Sequence, residues 1–354
     1  MRKMTCLGNY REIEVSGSPR EMGRQLGEAA AEEVRTFCVV ALERLQETMQ
    51  VSPERARALA EACLPVAREY SPDSVEELEG LAEAVAVPLW QIMLLQIRNQ
   101  FTPEPDAGCT SLSVPDPSGK GAIVAQNWDN DPALDPFTIM LTRRPTGKPA
   151  LMTLTQAGLI SYIGFNSEGI GACLNSLPAP SRAHGVPHYF TLRELYEADS
   201  LAGAVEAIRR AERAIPANIM LATPEGPANL EVTIDSVQVL RPDETSWITH
   251  TNHCLHPEFC HYNAEFPELI GSHPRKTRID ELLHASSADP GVAEIKTALR
   301  DHQDYPRSIC RHLNDDPDHG YWQTVFSVII EPERQRMHVS RGTPCSAEYQ
   351  VYQL

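Results

Sequence analysis

An α+β layered fold is what this 354-residue sequence predicts, and three observations carry the expectation. Helix-forming residues fill 18–100 as one block. From Cys109 onward, short apolar or alternating runs follow, each closed by Gly, Pro, Asn or Asp. Those runs succeed one another at hairpin spacing and the remaining helices come in blocks, which disfavours a doubly wound parallel sheet.

Within the first block, Ser18 is placed as an N-cap, with Pro19 in the first turn and Glu21 as its capping-box partner. Met22, Leu26, Ala30, Val34, Cys38, Leu42 and Leu45 then recur at helical spacing. Ser52-Pro53 and Ser71-Pro72 repeat the same start, and "PLWQIMLLQIRNQ" reads as a shorter, more buried helix, so four or five helices are expected. Strands are expected over 110–117, 121–129, 137–145, 150–158, 160–169 and 170–178. Helix returns over 188–213, strands over 217–226, 228–236, 237–242 and 246–253, and helices over 274–286 and 291–303. Residues 321–332 and 336–342 read as a closing hairpin.

Composition narrows the function classes. A hydrophobic content of 42% with 22% charged residues is that of a globular protein, and no apolar run approaches the length of a membrane span. The start has no apolar stretch after its basic residues, so a cytoplasmic location is expected. The net charge of −17 opposes nucleic acid and anionic membrane surfaces as partners. Nine cysteines without tight spacing read as reduced thiols and not as a disulfide frame.

One of them stands apart. Cys109 opens the first strand of the β-rich part, behind a loop with Pro103, Pro105 and Gly108, where a thiol is sterically open. Taken alone it is more readily packing than nucleophile. Twenty residues later, Asp129 follows Asn127-Trp128, and alone it reads as a turn or cap residue. A second cluster competes for attention: "HTNHCLHPEFCH" packs His250, His253, Cys254, His256, Cys260 and His261 together. Zinc favours those residue types, but adjacent His253 and Cys254 would point to opposite faces of an extended run. A zinc-binding module is one alternative, and an unprocessed binding protein with an inert Cys109 is another.

"GCTSL…GAIVAQNWD" resembles the N-terminal-nucleophile (Ntn) hydrolases of the penicillin acyltransferase type, the peptidase C45 family. It is more distantly similar to bile-salt hydrolases, penicillin V acylases and acid ceramidases. The resemblance extends along the chain: "IEVSGSPREMGRQLG" with Gly17, Glu21, Gly23 and Gly27, "NSEGIGACLNSL" with Asn175, "ANIMLATPEGPANLEV" ending in Glu231, "THTNH" with Asn252, and "SHPRKTR" with Ser272, Arg275 and Arg278.

That resemblance implies a four-layer αββα sandwich and a precursor that cuts itself between Gly108 and Cys109. It would leave a mainly helical chain 1–108 and a catalytic chain 109–354, paired as a heterodimer and open to further self-association. Cys109 would be the nucleophile, with its freed α-amine as general base, since an α-amine titrates at ~8. Asp129 would hold that amine, Asn252 would donate to the oxyanion, and Asn175 would assist. Arg275 would engage a carboxylate or support the nucleophile, with Thr110, Trp128 and Ser272 beside the substrate. The bile-salt hydrolase and ceramidase branch carries arginine at the position of Gln126, which points this chain to the acyltransferase-type branch. The implied reaction is hydrolysis of a linear carboxamide through a thioester on Cys109, without cofactor or metal. The alternative is transfer of an acyl group, from an acyl-CoA or an amide, to an amine.

Overall fold

The computed structural model describes residues 8–101, 108–265, 271–286, 290–316 and 320–354. Five helices build the first block: α1 (Pro19–Ala29), α2 (Ala31–Met49), α3 (Pro53–Tyr70), α4 (Pro72–Val85) and α5 (Leu89–Ile97). The capping box at Ser18 and Glu21 forms as the sequence predicts, with the Ser18 N–H donating to Glu21 Oε2 at 2.8 Å. Ahead of them lies a strand the helical reading passes over, β1 (Glu12–Gly17).

The β-rich part follows the expected order: β2 (Gly108–Pro115), β3 (Ala122–Asn130), β4 (Thr138–Pro145), β5 (Leu151–Gln156), β6 (Ile163–Asn166) and β7 (Gly171–Asn175). The predicted single helical stretch over 188–213 is two helices, α6 (His188–Leu195) and α7 (Leu201–Arg209), with Ser200 capping the second through Gly203 N–H. Then come β8 (Ala217–Thr223), β9 (Gly226–Val232), β10 (Val237–Leu240), β11 (Ile248–His250), the single turn α8 (Tyr262–Glu265), α9 (Ser272–His284) and α10 (Val292–Leu299). The closing hairpin is β12 (Gln323–Glu331) and β13 (Arg336–Arg341), and β14 (Tyr349–Gln353) extends it as an unanticipated last strand.

These strands form two sheets. One runs β1-β4-β5-β6-β7-β8-β9-β10, the other β11-β2-β3-β12-β13-β14. All neighbours are antiparallel except β1, which joins β4 in parallel, so the N-terminal segment is woven into the larger sheet. The sheets lie face to face: Ser113 Oγ donates to Leu221 O across the gap at 2.7 Å, and Trp128 meets Tyr162 edge-on at 6.1 Å. On the far face of the smaller sheet, Leu112, Val114, Ile123 and Ala125 pack against Ile279 and Leu283 of α9 and Ile295 and Leu299 of α10. The period-2 alternation of strand side chains sends these residues one way and Cys109, Val124 and Trp128 into the inter-sheet core. Helices α1–α5 cover the larger sheet, where Glu77 of α4 meets Arg143 of β4 at 2.6 Å. The layer order is therefore αββα. Among the described residues no helix is long and apolar enough to cross a membrane.

Candidate active site

Strand pairing brings the site together. β2 and β3 run antiparallel with Gly108 opposite Asp129 and Cys109 opposite Trp128. β11 pairs with the other edge of β2, His250 opposite Ser111. Continuing that register two residues past the end of β11 brings Asn252 level with Cys109. There the Cys109 N–H donates to Asn252 Oδ1 at 2.9 Å.

The carbonyl of Cys109 is held from two further directions. Arg275 donates to it through Nη1, and Asn175 Nδ2, reaching over from the end of β7 in the facing sheet, lies 3.4 Å away. Asn175 Nδ2 also donates to Thr251 O at 2.8 Å, which ties the loop after β11 to β7. Arg275 donates to Thr110 Oγ1 and to Asn252 Oδ1, both at 2.9 Å. Asn252 is fixed in turn: its N–H donates to Ser272 Oγ at 2.7 Å and its Nδ2 to Ser176 Oγ at 3.0 Å. Ser272 and Arg275, three residues apart, share one face of α9. Arg278 turns outward and pairs with Asp301 at 2.8 Å.

Cys109, Asp129, Asn175, Thr110, Trp128, Ser272 and Arg275 are all buried, as is Asn252. Trp128 stacks on Phe326 with 4.8 Å between ring centroids and forms an apolar floor beside the thiol. Burial pushes the Cys109 thiol well above its ordinary value, with the Asp129 charge adding to the effect and the Arg275 cation opposing it. The Asp129 carboxyl is raised by the same desolvation to about 6, although Arg275, Arg311 and a hydrogen bond from Thr324 all favour its ionised form.

Two of these supporting groups, Thr324 and Arg311, are not singled out by the sequence. Thr324 of β12 donates to Asp129 Oδ1 at 2.6 Å, and Arg311 exchanges two bonds with Thr324, of 2.9 and 3.1 Å. Gln126 clasps the backbone of Leu174, accepting its N–H at 3.2 Å and donating to its carbonyl, and so steadies β7 next to Asn175. Thr324 lies in a stretch that reads as plain hairpin, and Arg311 in a loop, so neither carries a local motif.

The proposed zinc cluster at 250–261 takes a different form. His250 Nε2 pairs with Glu231 Oε1 at 2.8 Å, His253 Nδ1 with Ser272 Oγ at 2.7 Å, and the Cys254 thiol with Pro178 O at 3.6 Å. Glu231 also accepts from the N–H groups of Leu255 and His256. Burial works to raise its carboxyl, but His250 and those N–H groups hold it below the ordinary value. Burial and the neighbouring His273 and His250 lower the His253 ring to about 3, leaving it neutral. The segment is a clamped loop whose side chains have separate partners, and it presents Asn252 to Cys109.

Comparison with known proteins fits this picture. The chain is similar to a mutant of conjugated bile acid hydrolase from Clostridium perfringens, at 10% identity over 70% of this chain and 97% of that one, with a TM-score of 0.43. It is similar to penicillin V acylase from Agrobacterium tumefaciens at 11% identity over 69% and 84%, with a TM-score of 0.46. At those scores the likeness decides nothing about the site. The 40 kDa form of acyl-coenzyme A:6-aminopenicillanic-acid-acyltransferase of Emericella nidulans is 28% identical over 338 residues, covering 94% of this chain and 92% of that one. Residues 116–345 match the family described as acyl-coenzyme A:6-aminopenicillanic acid acyl-transferase, and the chain belongs to that family.

Proposed function

We propose that this chain is a self-processing cysteine amidohydrolase of the Ntn type, with Cys109 as nucleophile and a linear carboxamide as substrate. One observation carries the choice of residue. Both backbone polar groups of Cys109 are held by buried side chains, Asn252, Asn175 and Arg275, from three separate elements. A cysteine that only packs asks for no such frame, whereas a residue whose nitrogen must become a reacting amine does. The family match begins beyond Cys109, so this geometry, with the Gly-Cys-Thr sequence, is the support for it.

In the first reaction the Cys109 thiol attacks the Gly108 carbonyl carbon. The Gly108–Cys109 C–N bond breaks, the nitrogen takes the thiol proton, and a thioester forms. Water hydrolyses it to a Gly108 carboxylate, a free thiol and an α-amine. Gly108 pairs with Asp129 across β2 and β3, so the new amine arises next to the strand that carries that carboxylate, with Asn252 Oδ1 already bonded to the nitrogen. Burial keeps the thiol protonated, so turnover needs a base, and the α-amine is the nearest group of suitable pKa. It takes the thiol proton, the sulfur attacks the substrate carbonyl, and the departing amine leaves with a proton. The acyl-thioester then passes to water.

The family's own description favours a second outcome, in which an amine takes the acyl group and an acyl-CoA supplies it. The chemistry on Cys109 is the same, and the acceptor alone differs. Incubating the protein with N-acyl amines or an acyl-CoA, with and without an added amine, then quenching in acid, tests both. The expected result is an acyl adduct on the peptide beginning at Cys109, discharged as free acid without an amine. An adduct on any other residue, or none under turnover, overturns the assignment.

A further inference from the structure

Behind Asp129, and apart from the cluster at 250–261, four side chains converge on one point. The His302 Nε2, Cys310 Sγ, His312 Nε2 and Cys345 Sγ atoms all lie within 4.8 Å of one another. His302 Nε2 is 3.1 Å from His312 Nε2, and each sulfur is 3.6 Å from that same nitrogen. Tetrahedral zinc with bonds of about 2.05 Å to nitrogen and about 2.3 Å to sulfur requires N···N of about 3.3 Å and N···S of about 3.6 Å. The three separations from His312 Nε2 lie close to those of such a tetrahedron.

Hydrogen bonding alone accounts poorly for the arrangement. A ring nitrogen offers either one proton or one lone pair, in the plane of the ring. His312 Nε2 faces another imidazole nitrogen and two sulfurs, so at most one of the three is served. A cation at the centre serves all four. Two thiolates and two neutral imidazoles also neutralise a divalent ion, and this set of soft sulfur and imidazole nitrogen is one zinc favours. The exposed His302 and Cys345 leave an entry path, while the buried Cys310 anchors the site to the core.

We propose that His302, Cys310, His312 and Cys345 form a structural zinc site that staples the 302–312 loop to the turn after β13. The loop it would fix is the one behind Asp129. Cys310 and His312 flank Arg311, whose N–H donates to Thr324 Oγ1, and that hydroxyl donates to Asp129 Oδ1. Cys310 and His312 turn to the cluster, while the Arg311 backbone between them bonds to Thr324, the partner of Asp129. Zinc here is a positioning group, bound with release of two thiol protons, and it takes no part in acyl chemistry.

Elemental analysis of the full-length protein, purified without chelator, is the test. The expected stoichiometry is about one zinc per chain, retained in Cys109→Ala and lost in Cys310→Ser/Cys345→Ser. Should the double variant fail to fold, the wild-type protein is stripped with a chelator and loaded with cobalt. Thiolate-to-cobalt charge transfer and intense tetrahedral ligand-field bands are then expected, together with a higher thermal midpoint than the stripped protein. Three results overturn the proposal: zinc well below stoichiometric with no midpoint rise on adding it, a Cys310–Cys345 disulfide in the alkylated, unreduced protein, or full zinc occupancy in the folded double variant.

Discussion

Burial raises the Asp129 carboxyl from its ordinary value to about 6, a shift worth on the order of 3 kcal/mol. The sign follows from linkage: the folded chain binds this proton more tightly than the unfolded one. The stabilisation is therefore complete below the unfolded pKa of ~4 and is lost as pH rises through 6. At neutral pH the fold carries an ionised carboxylate in a dry site, the kind of cost that marks functional positions. The proposed self-cleavage would turn the Cys109 amide nitrogen into an ammonium that the ionised carboxylate favours, so the ionised form would be the productive one. The cleavage rate, followed by mass against time, is expected to rise with pH through about 6, and Asp129→Asn is expected to lose that limb and to cleave at least ~100-fold more slowly. A flat profile in the wild-type chain would remove Asp129 from the step. Cys109, Asp129, Asn175, Asn252, Ser272 and Arg275 are picked out in the sequence by the family resemblance, which short motifs in a shared order carry. Thr324 and Arg311 are not, since they reach the carboxylate through strand pairing and loop packing that leave no local pattern. The same reason misleads at 250–261, where crowding along the chain separates side chains in space, while 302, 310, 312 and 345 look unrelated until the fold gathers them.

At the level of elements, the glycines of the first helices have a packing reason. α1 and α4 cross so closely that a Cβ on Gly23 would stand 1.9 Å from Glu77 O, and one on Gly80 would stand 2.2 Å from Arg20 O. These are backbone atoms, so relief requires the helices to part. Parting them strains the neighbouring Glu77–Arg143 pair, which is buried and joins α4 to the larger sheet. Gly23→Ala is expected to cost about 3 kcal/mol or more, although alanine is the better helix former. Denaturant unfolding of the variant measures this, and a change under ~0.5 kcal/mol would contradict the crossing. Helices α1–α5 are readable from their Ser-Pro starts and 3.6-residue spacing. β1 is not, because its partner β4 lies over a hundred residues away and the pairing is parallel.

For the molecule as a whole, the Gly108–Cys109 boundary divides the chain but not its core. β1 lies in the larger sheet, and Val15, Leu26, Leu81 and Leu95 share one buried cluster with Cys109, Trp128 and Phe326. The proposed cut would separate two lengths of chain that remain one body, and a helical segment with no sheet of its own would stay bound through that shared core. The α+β layered class follows in the sequence from hairpin-spaced strands and block-wise helices and the αββα order from the family resemblance, but which strand lies beside which does not, since β11 reaches β2 and β12 reaches β3 over long intervals. The most direct test of the account is the intact mass of the purified protein, alone and as Cys109→Ala. The account predicts that the wild-type chain separates in denaturant into fragments 1–108 and 109–354, the second beginning at Cys109, while both elute together under native conditions. It predicts that Cys109→Ala stays a single full-length chain. A wild-type protein that keeps one full-length mass on prolonged incubation, or a variant that is cut at the same bond, would contradict it.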